Sequence, residues 1–131
     1  MAGIPLNTFK TVTGAVNYLN PLLPTPTGIL GPTSPYYVYG APPGLTGIIL
    51  YMQVSNIDPT NTYTTSAWHY RPSTLTWTNL VKNISAPVAD ARIMLGGKLV
   101  LQTFDELYVS GNDASQLNLQ LIISLLESAN Q

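Results

Sequence analysis

The chain holds a single histidine, His69, and no cysteine. These two facts narrow the chemistry at once. A zinc site takes several His, Cys or carboxylate ligands, and one imidazole with no thiol cannot build the usual set. His69 stands between Trp68 and Tyr70, with Arg71 beyond. It could act as a general base or a pH switch, but general-base catalysis wants a partner within hydrogen-bond reach, and the sequence identifies none. The favoured reading is structural, one polar member of an aromatic strand. Asp105 and Glu106 are adjacent, so on a strand they face opposite ways and make a weak carboxylate pair. In a turn before Leu107 they are better used to bond backbone donors.

The remaining signals are weaker. Asp58, Thr60 and Asn61 resemble a calcium loop in composition alone, because the spacing, the Gly and the terminal Glu of an EF-hand are missing. An Asx-type turn is expected there. The stretch GAPPG at 40–44 and the pair Gly96 and Gly97 lack the Lys-Ser/Thr of a phosphate loop. No serine sits in a nucleophile elbow. The chain is expected to use no metal or cofactor and to catalyse no reaction.

Tyrosines 36, 37 and 39 cluster before GAPPG, and Tyr63, Trp68, Tyr70 and Trp77 follow on neighbouring stretches. Exposed aromatic platforms bind sugars, so a carbohydrate-binding module is one alternative. Tyr and Trp are also enriched in cores and protein interfaces, where the ring is buried and its polar tip paired. At an ordinary aromatic content of 9%, core and interface roles are preferred.

Composition agrees with contact rather than catalysis. Only 8% of the 131 residues are charged, against about 25% in soluble domains, while 45% are hydrophobic. Charge keeps small domains dissolved and apart, so a chain this poor in it is expected to bury surface against other protein. The net charge of −1 and the lack of a basic run argue against nucleic-acid or membrane-surface partners. The N-terminus, MAGIPLNTFKTVTG, does not read as a signal peptide. The longest nearly apolar stretch, 117–126, is far short of the about 20 residues that span a bilayer. A soluble protein made without an export signal is expected.

The elements follow from proline and from alternation. Eight of the 11 prolines fall at or before position 43, so 20–35 (NPLLPTPTGILGPTSP) can be neither helix nor central strand. It is nonetheless apolar, with Leu22, Leu23, Ile29 and Leu30. It reads as an extended arm lying on its own or a neighbour's surface, or as a long ordered loop capping its own core. From Tyr36 the pattern is β. Thr46, Ile48, Leu50, Met52 and Val54 share one face by strict alternation, opposite Gly47, Ile49, Tyr51, Gln53 and Ser55. Apolar residues on both faces mark a central or interface-facing strand. Further strands are expected at 62–71, 75–81, 92–95, 98–101 and 107–110, with turns at 56–61, 72–73, 96–97 and 111–115. The last strand, 117–126, puts Leu117, Leu119, Leu121, Ile123 and Leu125 on one face. Short connections favour antiparallel pairing. The expected fold is an all-β antiparallel sandwich, jelly-roll or Greek-key-like, as domain 36–131, with an extended Pro-rich arm as 1–35. Candidate interface residues are Leu22, Leu23, Ile29, Leu30, Tyr36, Tyr37, Tyr39, Ile49 and Tyr51.

One resemblance covers about two thirds of the chain. Six pieces occur in order: APPG (41–44), TGIILYMQVSN (46–56), ISAP (84–87), GKLVLQTFD (97–105), ELYVS (106–110) and LIISLLE (121–127). Their order and spacing resemble small β-sandwich virion structural proteins of tailed bacteriophages, in which a variable hairpin lies between the second and third pieces. Here Gln102, Thr103 and Phe104 replace the acidic, Gly-containing turn usual in that pattern, and the Pro-rich arm has no counterpart in it. The resemblance implies a capsid decoration (cement) protein on the outer surface of the virion, made in the host cytoplasm. Its implied partners are the major capsid protein and sister subunits in a homo-oligomer, dimer or trimer. A tail, neck or fibre location is the alternative on the same particle.

Overall fold

A computed structural model describes residues 7–16 and 36–129, together with the backbone but not the side chain of Tyr36. The described residues form nine strands: β1 (Asn7–Ala15), β2 (Tyr36–Gly40), β3 (Leu45–Asn56), β4 (Tyr63–Arg71), β5 (Thr76–Ala86), β6 (Asp90–Ile93), β7 (Leu99–Leu101), β8 (Glu106–Gly111) and β9 (Leu119–Ala129). All pairings are antiparallel. Two sheets result. Sheet A runs β1-β9-β3-β6, with β7 pairing the first half of β3 beside β6, and sheet B runs β2-β8-β4-β5. The expected all-β antiparallel sandwich is the fold observed.

The core lies between the sheets. Leu119, Leu121, Ile123 and Leu125 of β9 alternate into it, as their sequence spacing predicts. They meet Leu107 and Val109 of β8, Ala67 of β4, Leu101 of β7, and Met94 just after β6.

The strict alternation expected of β3 fails in the middle. Its partners along β9 run Ile49↔Leu125 and then Tyr51↔Ser124, so Leu50 has no partner of its own. This is a β-bulge, two residues opposite one. Gly47 and Ile49 point inward before it, Met52, Val54 and Asn56 after it, while Leu50 and Tyr51 both point out. The two apolar faces seen in the sequence are therefore one inner face whose phase changes at Leu50.

The N-terminal segment also differs from expectation. Residues 7–15, placed in the arm by the sequence reading, are β1, paired residue for residue with β9. There is no proline between Pro5 and Pro21 to prevent it, and Phe9, Thr11, Val12 and Thr13 suit a strand. The prolines of 20–35 lie outside the described residues.

Candidate functional site

Polar side chains close the two ends of the sandwich. At one end His69 and Arg71, two apart on β4 and hence on the same face, turn toward the β7–β8 connection. There Asp105 is buried, 2% exposed. Arg71 Nε donates to Asp105 Oδ1 at 3.0 Å and Arg71 Nη2 to Oδ2 at 2.8 Å. His69 Nε2 lies 3.0 Å from Oδ2, and the Gln102 backbone N–H donates to the same oxygen at 3.1 Å. Burial works against ionisation of Asp105, but the hydrogen bonds from Arg71, His69 and Gln102 outweigh it and hold the carboxyl below its ordinary range.

His69 thus has the partner that the sequence did not reveal. Two donors on one strand face were the available signal, since such a pair seeks a carboxylate. Both oxygens of Asp105 are engaged. What the cluster does is fasten the 102–105 connection over the end of the core. Three more bonds help: Ala41 N–H to Asp105 O, Phe104 N–H to Ala41 O, and Thr103 Oγ1 to Leu45 O at 2.6 Å. The fastened loop presents Phe104, 59% exposed, with its backbone at φ 72°.

At the other end Asp58 accepts from the N–H groups of Thr60 and Asn61, the Thr60 hydroxyl, Asn61 Nδ2 and the Tyr63 hydroxyl. This is the Asx-type turn expected from composition. The backbone bond from Thr60, then Tyr63 and Asn61, hold its carboxyl far below the usual value. Asp113 organises the β8–β9 turn likewise, accepting from Ser115 and from the N–H groups of Leu117 and Asn118. Among the described residues no cluster of His and carboxylates could hold a metal ion.

The outer face of sheet B carries the aromatic residues. Tyr70 and Trp77 lie 4.5 Å apart with their rings tilted by 33°, Trp77 and Tyr108 lie 4.8 Å apart tilted by 54°, and Tyr37 meets Tyr108 edge-on at 5.6 Å. One such ring comes from each of the four strands, so together they bind the sheet transversely. The buried indole N–H groups of Trp68 and Trp77 have no hydrogen-bond partner.

The outer face of sheet A is of another kind. Register places Val100, Ile48, Leu126 and Phe9 in one row across β7, β3, β9 and β1. Further along come Tyr51, Ser124 and Thr11, then Ile93, Gln53, Ile122 and Thr13. Among the described residues no outward strand position of this sheet carries a charge; exposed Asp90 and Arg92 of β6 and Lys98 before β7 stand at its margin. Lys10 is on the inward phase of β1, where its ammonium pairs with Glu127 at 2.9 Å. Phe9 is 76% exposed, Ile93 61% and Val100 54%. The scarcity of charge noted in the sequence is concentrated here.

Of the candidate interface residues, Leu22, Leu23, Ile29, Leu30 and the Tyr36 side chain lie outside the described residues. Tyr37 and Tyr51 are exposed, on sheets B and A respectively. Tyr39 and Ile49 are core residues and present no surface. Ile49 is turned inward by the phase of β3, and Tyr39 by its bond to Glu127 across the sandwich.

The fold and site define an all-β sandwich with polar-sealed ends and one uncharged face. No protein-family model matches the chain, and no curated protein does. Among solved structures it is similar to one described as "Structure of Eiger TNF from S. frugiperda", at 13% identity. The match covers 92% of this chain and 85% of that one, with a TM-score of 0.38.

Proposed function

We propose that the chain is a bacteriophage virion structural protein, a capsid decoration or cement protein that attaches to the outer surface of the major capsid protein lattice and stabilises the head by burying surface. The observation that supports this most is where the six resembling pieces fall. They contain β7, most of β3, β8 and β9, and the 102–105 connection that closes one end of the sandwich. The interval that varies in the pattern holds the β4–β5 hairpin, of which β5 is an edge of sheet B and β4 an inner strand. The pieces thus include both central strands of sheet A, β9 and β3, and one of the two in sheet B, β8, which supports a resemblance of framework. A face without charge suits a protein whose work is contact.

The deciding experiment is the stoichiometry of the protein in purified particles that carry its gene. A copy number comparable with the major capsid protein supports shell decoration. A handful of copies moves the protein to tail, neck or fibre, and absence from the particle overturns the reading. The carbohydrate-binding alternative needs ring faces open to a sugar, and Tyr70, Trp77 and Tyr108 use theirs on one another.

A further inference from the structure

We propose that the outer face of sheet A is a self-association surface, on which a second copy of this chain docks face to face about a two-fold axis. The inference goes beyond the virion reading and stands or falls without it. Three observations carry it.

The first is charge. The outward strand positions carry no ionised group, and the exposed charges Asp90, Arg92 and Lys98 stand only at the β6/β7 margin. Such a face offers a charged partner little to pair with, whereas an identical face leaves no charge buried and unpaired at its centre. The second is extent. Three long strands and an edge shared by the short β6 and β7, four abreast at about 4.8 Å and averaging about nine residues at about 3.4 Å, span roughly 600 Å². That reaches the about 600 Å² per partner at which stable interfaces begin.

The third is relief. At one end of the face a groove of about 490 Å³ is bounded by Thr13 and Ala15 of β1, Gln120 and Ile122 of β9, and Leu117 of the preceding turn. At the other end of β1 stands Phe9, 76% exposed. Knob and groove are six residues apart on the same edge strand. A two-fold axis lying in the face and crossing the strands near Val12 reverses β1 against its counterpart, setting each Phe9 over the partner's groove. Such an interface is isologous and closes at two copies.

The test is sedimentation of the full chain at micromolar concentration beside two variants, Phe9→Glu and Leu75→Glu. Both positions are 76% exposed, so neither substitution disturbs the core, which the thermal melt verifies. Leu75 lies on the β4–β5 turn of sheet B and serves as the control. The expected result is a dimer for the parent chain and for Leu75→Glu, and dimerisation weakened at least tenfold by Phe9→Glu. A monomeric parent, a Phe9→Glu variant that dimerises as the parent does, or an equal loss with Leu75→Glu overturns the proposal. Because the chain has no cysteine, a single Thr13→Cys gives an independent readout. In the dimer its labelling by a maleimide is slowed relative to the Phe9→Glu background, and equal rates overturn the proposal.

Discussion

The Tyr39 hydroxyl donates to Glu127 Oε2 at 2.5 Å, joining β2 of sheet B to β9 of sheet A across the end of the core. Burial, with Glu127 beside it, pushes the phenol well above its usual range. Burial of Glu127 opposes ionisation, but Tyr39 and Lys10 outweigh it and lower that carboxyl. Tyr39→Phe keeps the ring and removes this donor, leaving a buried carboxylate that still pairs with Lys10. A loss of about 1–3 kcal/mol is expected, read from urea unfolding with an unchanged slope.

Gly47 is the floor on which that phenol rests. A Cβ added there would stand 2.8 Å from Tyr39 Cε2 and 2.9 Å from its hydroxyl. Gly47→Ala forces the ring aside and disturbs the bond to Glu127, so the variant is expected to lose about 1–3 kcal/mol. In a Tyr39→Leu background the same substitution should do much less, and a double-mutant cycle by chemical unfolding measures the difference.

Asp105→Ala orphans the Gln102 N–H and removes the carboxylate from His69 and Arg71. Arg71 is partly exposed and recovers water, which keeps the penalty below that of a fully buried pair. A loss of about 1–3 kcal/mol is expected. The 102–105 connection should exchange its amide hydrogens sooner than β8 does, and equal protection of the two segments would contradict the role assigned to Asp105.

Acid should unfold the protein through four carboxyls held low in the folded state: Asp58, Asp105, Asp113 and Glu127. A carboxyl depressed by folding stabilises the native state above its unfolded value, about 4 for these residue types. That contribution is lost as pH falls through the lower folded values. Stability is therefore expected to be flat in this respect above about pH 5 and to decline steeply below about pH 4. Melting temperature against pH checks it, and Asp105→Asn should flatten part of the decline.

Phe104 has a left-handed backbone at φ 72° and an exposed ring. Such a conformation costs a non-glycine residue about 1–2 kcal/mol, and the ring returns little of it. Phe104→Gly is expected to raise the melting temperature, or at least not lower it. A clear drop would mean that the ring packs against something in the folded chain.

The parts of the fold that the sequence disclosed are those governed by local pattern. β9 could be read from Leu119 to Leu125 because every second residue is apolar, while two of the three between them, Gln120 and Ser124, are polar. The Asp58 turn could be read because Asp, Thr and Asn bond their own backbone. The phase change of β3 is hidden, since a bulge adds one residue without a Gly or Pro to mark it, so the sequence puts Ile49 among the interface candidates although the structure buries it. The His69–Asp105 contact was hidden because strand pairing brings together residues 36 apart. The uncharged face of sheet A was visible only as a low total. Register was needed to show that five strands place their neutral residues on one side.

Leu50 is a spare link in the chain. With it removed, Ile49 would precede Tyr51 directly, and the pairs Ile49↔Leu125 and Tyr51↔Ser124 along β9 would remain as they are. Every inward residue would stay inward, because a bulge of two against one becomes plain alternation when one is taken away. The strand can thus gain or shed this residue without rewriting the core. What the extra residue alters is the relief of the neutral face, where it adds a second outward side chain beside Tyr51. A one-codon change at this point would remodel the contact surface and leave the scaffold untouched, which gives the protein a cheap route to a new fit.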